Sequence, residues 1–301
     1  MPVSHLRWLD YTSDWFSADP IHGRPKDAVN SSGFDRTSGR SAARTRHLGS
    51  PGEGLRARRS SGPGDGLSSR RYRADVREPA GGRTGLKDAG VARGEVFLTT
   101  KLWLDSLTRE AVPKAAAECL KHLATEYVDL LLIHWPAAGV PLEETLRAMS
   151  LVREHGMARS IGVSNFPAAL WRRALELAPV GVNQIELHPF LDQGPLVRFA
   201  RERDLRLVAY TPLAKGRVSR EPAIVDIART HGKTPAQVTL RWLIEHPGVA
   251  AIPKASRLEH LRENLQIFDF ELDPEEMRTL SGLGRSLRLV NPSWAPQWDG
   301  Q

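Results

Sequence analysis

From Glu95 to the C-terminus the chain alternates short, continuously apolar runs with stretches whose apolar residues recur at helical spacing. VFLTTKLW (Val96–Trp103) reads as a buried strand, and TREAVPKAAAECLKHL (Thr108–Leu123) as the helix after it. VDLLLIHWP (Val128–Pro136) reads as a second strand, followed by a helix over LEETLRAMSLVREHG (Leu142–Gly156) that stops at a glycine. SIGVSNF (Ser160–Phe166), VNQIELHP (Val182–Pro189) and LRLVAYTPL (Leu205–Leu213) read as the third, fourth and fifth strands, with helices near Ala168–Leu177 and Leu196–Arg203. VAAIPKA (Val249–Ala255) is the sixth, leading into a helix that opens at HLRENLQIF. Before it, Thr234, Pro235 and Gln237 have the spacing of a capping box with proline at the first helical position. Asp273-Pro274-Glu275-Glu276 announces one more helix.

Strands that are apolar at consecutive positions are buried on both faces, which means a parallel sheet covered by helices. Six strand–helix units with polar residues at the strand ends predict an α/β fold, a (β/α)8 TIM barrel. It is incomplete, because the first two units are not recognisable. An open doubly wound sheet is the alternative, but no G-x-G-x-x-G follows any strand.

The two missing units belong upstream, and there the composition changes. Between Arg36 and Thr84 there are twelve arginines, no lysine, four acidic residues and only five large apolar ones, against a net charge of +7 for all 301 residues. Such a segment buries too little apolar area to offset its conformational entropy. The expected division is an irregular segment over 1–93 and a folded unit over 94–301. The single cysteine, Cys119, excludes a disulfide framework and points to a reducing cytoplasm. The N-terminus has no signal-peptide pattern, and no apolar run has the length of a membrane span.

Several strand-end residues invite chemistry, and each also has a plain reading. Lys101 could reach from its strand end to solvent. His134 could be a satisfied core histidine, Asn165 and Gln184 strand-end caps, and Tyr210 a core aromatic. Barrels, however, carry their active sites at the C-terminal ends of their strands, where all five lie. The ordered motifs FLTTKLW, VDLLLIHWP, SIGVSNF, NQIELHP and IPKA resemble the aldo-keto reductase family, in particular its bacterial 2,5-diketogluconate-reductase-like members. The resemblance runs from about Gly94 to the C-terminus. It implies reduction of aldehyde or ketone carbonyls with a nicotinamide cofactor and no metal, in a monomer. His134 would then polarise the substrate carbonyl, and Lys101 would lower the pKa of a tyrosine proton donor; a nearby cation brings a phenol of pKa about 10 towards working range.

By the same resemblance, Ser164, Asn165 and Gln184 hold the nicotinamide carboxamide, and Tyr210 stacks on its ring. Thr211 and Leu213 follow along the cofactor, Lys254 and Arg257 meet its phosphates, and Glu263 and Asn264 hold the adenine. Trp103, Trp135 and Trp294 are assigned to the substrate. In the C-terminal RLVNPSWAPQWD, Pro292, Trp294 and Trp298 either form a substrate loop or pack the tail onto the barrel. His260 stands where the family often carries an arginine for the 2′-phosphate, and an imidazole is a poorer phosphate partner than a guanidinium fork. NADPH is the expected cofactor, with NADH left open.

The family also needs a segment resembling GYRHIDTAxxYxNE, and none is present; Tyr72, in RRYRADV, is outside that pattern. A one-nucleotide shift accounts for the gap. With the second codon base fixed and the wobble base free, LSSRRYRADVREPAGGR (Leu67–Arg83) can be reread as YRHVDTALMYENQPEVG. ARTRHL (Ala43–Leu48) can be reread as LGLGTW, like the family's first strand. The catalytic aspartate and tyrosine then fall at codons read here as Arg71 and Val76, and frame returns near Thr84–Leu86. As written, the chain is expected to be unstable and inactive. Two competing readings keep it as it stands. One is a non-catalytic barrel scaffold with an Arg-rich arm that binds nucleic acid or another anionic partner, although Tyr72 is the arm's only aromatic residue. The other is a redox sensor that binds cofactor without turnover.

Overall fold

The computed structural model describes residues 92–299. The Arg-rich segment, Arg71, Tyr72 and Val76, and with them the expected loss of two strands, lie outside the described residues. Six strands form one all-parallel sheet in sequential order, β1 (Thr99–Leu102), β2 (Val128–Ile133), β3 (Ala158–Ser164), β4 (Val182–Glu186), β5 (Arg206–Tyr210) and β6 (Val249–Ala251). A helix follows each strand: α1 (Ala111–Leu123), α2 (Leu142–Glu154), α3 (Ala168–Leu177), α4 (Gly194–Glu202), α5 (Pro222–Thr230) with α6 (Pro235–Glu245), and α7 (Leu258–Leu265). The last helix is α8 (Pro274–Ser281). This is six-eighths of a (β/α)8 barrel. Among the described residues β1 pairs only with β2, and β6 only with β5.

The continuous apolar runs have the expected cause. Along β2 every residue is buried. Leu131 and Ile133 join the large cluster under the helices, while Leu130 and Leu132 join Val182 and Val208 in a small inner cluster. Alternation across the strand therefore feeds two cores, one on each face of the sheet. Gly162 in β3 sits where its neighbours leave no room for a side chain. A Cβ there would lie 2.7 Å from the Val182 carbonyl oxygen and 2.8 Å from Leu132 Cδ2. Only glycine lets the inner layer close at that level.

Helix starts follow the sequence signals. Thr234 accepts from the Gln237 amide and Gln237 answers with its side chain; Asp273 and Glu276 do the same for α8. The regular strands are shorter than their apolar runs, because residues such as Trp103 and His134–Pro136 lie beyond the ladder and build the rim. The sequence reading assigns nothing to 214–230, where the chain forms a kinked 3-10 segment (Ala214–Arg220) and then α5. Nine residues with three large apolar side chains are too short to set a helical period apart from a loop.

Candidate active site

The polar residues singled out above meet at the C-terminal ends of β1 to β5. Lys101, at the end of β1, donates from Nζ to Gln184 Oε1 of β4 at 2.7 Å. Burial depresses this ammonium to about 8. His134, the first residue beyond β2, is pushed down to about 3, by burial first and by the Lys101 charge second. It is therefore a neutral imidazole near pH 7, with one N–H to give and one lone pair to accept. Its Nδ1 is buried and has no hydrogen-bond partner.

A tight network sets the floor between them. Ser164 Oγ donates to the Gln184 carbonyl at 2.8 Å, and the Asn165 amide N–H donates to the same oxygen at 2.9 Å. Asn165 Nδ2 donates to the His134 carbonyl at 3.0 Å and to Ser164 Oγ at 3.2 Å, while its Oδ1 accepts from the Tyr210 hydroxyl at 2.8 Å. Burial and the nearby Glu186 carboxylate hold the Tyr210 phenol well above its ordinary range, with Arg288 opposing them. Tyr210 is thus a neutral donor.

Backbone conformation marks the same rim. Among the described residues, six non-glycine residues have positive φ. Ala124 and Asp204 follow the ends of α1 and α4, where a left-handed residue is an ordinary helix stop. The other four, Asn165, Thr211, Ala214 and Lys215, lie just past β3 and β5. Strained backbone held in place at strand ends is characteristic of ligand clamps.

The aromatic residues form a wall beside His134. Trp103 meets the His134 ring edge-on at 4.9 Å, and Trp294 from the C-terminal tail packs edge-on to Trp103 at 5.8 Å and to Trp135 at 5.1 Å. Trp135 also meets Trp298 at 6.0 Å. Trp298 is 8% exposed and packs in, while Trp294 stays 41% exposed at the rim.

The remaining nominated residues make a second group, around the end of β6 and the start of α7. Lys254, Arg257 and His260 are exposed, Glu263 is half-buried and Asn264 is buried. Arg257 is the N-cap of α7, so its cation and that of Lys254 lie near a helix end that already favours anions. Gln237 Nε2 donates to the Glu263 carbonyl at 3.1 Å and ties α7 to α6.

Three residues of the site were not singled out in the sequence. Glu186, fully buried, accepts from His188 Nε2 at 3.0 Å and from the backbone N–H groups of Leu289 at 2.6 Å and Val290 at 2.9 Å. Burial opposes its charge, but these donors prevail and hold the carboxyl below its ordinary range. Arg288 lies over Trp298, with Cζ 3.7 Å from the ring centroid. The signal for Glu186 was a charge inside the buried strand VNQIE, with His188 two residues on.

The aldo/keto reductase family matches residues 76–285. The chain belongs to that family. Methylglyoxal reductase DkgB of Escherichia coli O157:H7 is 36% identical over 220 residues, covering 71% of this chain and 82% of that protein. Glyoxal reductase of Bacillus subtilis is 38% identical over 208 residues, covering 68% and 74%. A Bombyx mori aldo-keto reductase solved in complex with NADP superposes with a TM-score of 0.66 at 33% identity, covering 74% of this chain and 78% of that one. This aldo/keto reductase is an oxidoreductase with carbonyl-reducing relatives. Among the described residues no helix is long and apolar enough to cross a membrane, and no cluster of potential metal ligands occurs.

Proposed function

We propose that this chain is the greater part of an NADPH-dependent carbonyl reductase and that residues 94–301 are its folded unit. The observation that carries the proposal is the Lys101–Gln184–Ser164–Asn165–Tyr210 network beside a neutral His134. Ser164, Asn165 and Gln184 offer amide and hydroxyl groups matched to a carboxamide. Tyr210 supplies a flat, neutral ring beside them, and the Thr211–Lys215 segment, in which Thr211, Ala214 and Lys215 have positive φ and Leu213 lies between them, gives a backbone cradle for a diphosphate. Lys254 and Arg257 place cations for a phosphorylated ribose, with His260 the weaker third, and Glu263 and Asn264 are left for the adenine. NADH remains the competing cofactor, because His260 offers an imidazole in place of a guanidinium.

Bound at this rim, the cofactor supplies the hydride. The chain's own groups do the rest. His134, kept neutral by burial, gives its N–H to the carbonyl oxygen and so favours charge developing on it. Lys101 provides the cation that lowers a phenol's pKa. Trp103, Trp135 and Trp294 exclude water and hold the apolar part of the carbonyl compound.

Among the described residues no phenol is left over for that role. Of the two described tyrosines, Tyr210 is committed to Asn165, and the Tyr127 ring lies between Arg93 and Arg159, 4.1 Å from each guanidinium. The one-nucleotide shift over Leu67–Arg83 restores it at codon 76. Two experiments test this reading. In the first, the DNA across codons 30–90 is sequenced in all frames. A shifted frame that spells Asp-x-x-x-x-Tyr supports an intact parent reductase, and stop codons there sink the frame proposal. In the second, NADPH is titrated onto the 301-residue chain. Binding without measurable turnover is expected, and no binding of either nicotinamide cofactor would overturn the site assignment.

A further inference from the structure

Lys101 has chemistry that the proposed reaction does not use, since that reaction asks of it a charge and nothing more. Its surroundings suit a nucleophile. Its neighbour in register on β2 is Leu132, which belongs to the inner apolar cluster with Leu130, Val182 and Val208. Among the described residues its one hydrogen-bond partner is the neutral Gln184 Oε1, at 2.7 Å. Burial lowers the ammonium to about 8, and no carboxylate opposes that by pairing with it. A neutral amine keeps two N–H groups and gains a lone pair. Loss of the proton therefore leaves the bond to Gln184 in place and uncovers a nucleophile. Desolvated lysines of this kind are the ones that attack carbonyl carbons.

A carbonyl acceptor has a place beside it. The His134 amide N–H donates to the Leu102 carbonyl at 3.0 Å, which joins the ends of β1 and β2 next to Lys101. The Lys101 charge acts directly on the imidazole. The Trp103 ring, two residues on from Lys101, meets the imidazole edge-on at 4.9 Å. Amine, imidazole and indole thus come from two bonded strand ends.

We infer that Lys101 is a nucleophile that captures aldehydes, aromatic ones above all, as a reversible imine at the mouth of the sheet. The inference rests on the carbonyl-reductase reading for the place of the carbonyl oxygen on His134. The Nζ lone pair attacks the carbonyl carbon, and the C–O π pair moves onto the oxygen, which accepts from the His134 N–H. A proton passes from the new ammonium to that oxygen, giving a carbinolamine. The nitrogen lone pair then forms the C=N bond as the oxygen leaves with a further proton as water. The protonated imine keeps one N–H, which donates to Gln184 Oε1 as the ammonium did. An aryl group on the carbon lies against Trp103 and Trp294, where water is excluded and hydrolysis is slowed.

The test uses benzaldehyde and sodium cyanoborohydride, which fixes an imine as a secondary amine. Both are added at pH 8 to the full 301-residue chain without cofactor, and the benzyl mark is located by peptide mass spectrometry. Lys101 is expected to be marked at least about tenfold faster than the exposed Lys114 and Lys121, because an ordinary lysine is almost wholly protonated at pH 8. Its rate is expected to rise with pH through about 8 and then level off, as the neutral amine takes over. The titratable groups around it do not distort that profile: His134 and Tyr210 stay neutral in this range, and Glu186 stays ionised. In concentrated urea the preference for Lys101 is expected to vanish. Marking of Lys101 no faster than of Lys114 and Lys121 overturns the inference, as does a preference that survives in urea. His134→Leu is expected to slow the marking by on the order of tenfold or more, through loss of the donor to the oxygen. If Lys101 is marked selectively but equally fast in His134→Leu, the nucleophile stands and the reductase reading of His134 falls. If NADPH binds the chain and Lys101 is not marked selectively, the reductase reading stands and the inference falls.

Discussion

Lys101 Nζ and Gln184 Oε1 lie 2.7 Å apart, joining the ends of β1 and β4 across the mouth of the sheet. The bond gives a buried ammonium its acceptor and fixes the Gln184 amide proposed to meet the nicotinamide carboxamide. Replacing Gln184 with leucine removes the acceptor from a cation that burial already disfavours. Gln184→Leu is expected to lower unfolding free energy by roughly 1–3 kcal/mol, the cost of a buried donor left unpaired, and to weaken NADPH binding. Urea denaturation and cofactor titration check the two effects separately. A variant as stable as the parent would mean that the ammonium finds another partner.

The two depressed pKa values predict how stability varies with pH. His134 has a folded-state value of about 3 against 6.5 unfolded. Between those values the unfolded chain binds the proton and the folded chain does not, so stability falls as pH drops below 6.5, by at most about 1.4 kcal/mol per pH unit for one proton. Lys101, at about 8 against 10.5, makes stability rise with pH between those values; below pH 8 both states carry the proton and the cost of burying it is fully present. Urea midpoints of the parent and His134→Gln from pH 5 to 7 are expected to show a smaller slope in the variant. Equal slopes would mean that His134 titrates normally.

A third prediction concerns the inner layer of the sheet. Gly162→Ala brings a methyl group to 2.7 Å from the Val182 carbonyl oxygen, a backbone atom that cannot swing aside. It is expected to cost roughly 1–3 kcal/mol, as overpacking a closed core does. Denaturant unfolding measures it. A neutral result would show that β3 and β4 can separate at that level.

The strands and the rim were legible in the sequence for one shared reason. Burial on both faces forces continuous apolar runs such as LLLI, so a lysine, histidine, asparagine or glutamine at the end of such a run stands out. Glu186 and Arg288 were not legible because their meaning is relational. Glu186 is a buried charge whose donors come from more than one hundred residues away, at Leu289 and Val290. Arg288 looks like any tail arginine until Trp298 is found lying on it. Long-range pairings of this kind leave no periodicity. The short helix Pro222–Thr230 was missed for a different reason, since nine residues give barely two turns to read.

The tail's hold on the site gives the last prediction. Asp299 Oδ2 accepts from the Ala168 amide at 2.7 Å, so the end of the tail caps the first turn of α3. Glu186 fixes the other end through Leu289 and Val290. Between these anchors Trp294 and Trp298 cover Trp103 and Trp135. Asp299→Ala cuts one anchor and leaves the other. The lost cap is expected to cost about 0.5–2 kcal/mol, and the freed end makes Trp298 more accessible to a quencher such as acrylamide. Glu186→Gln removes charge at the opposite anchor, where two amide donors and His188 were satisfied by a carboxylate, and is expected to disturb the tail more severely. If the tail is the substrate loop, both variants weaken binding of a carbonyl compound and leave NADPH affinity nearly unchanged. If it is only surface packing, stability falls and neither affinity moves.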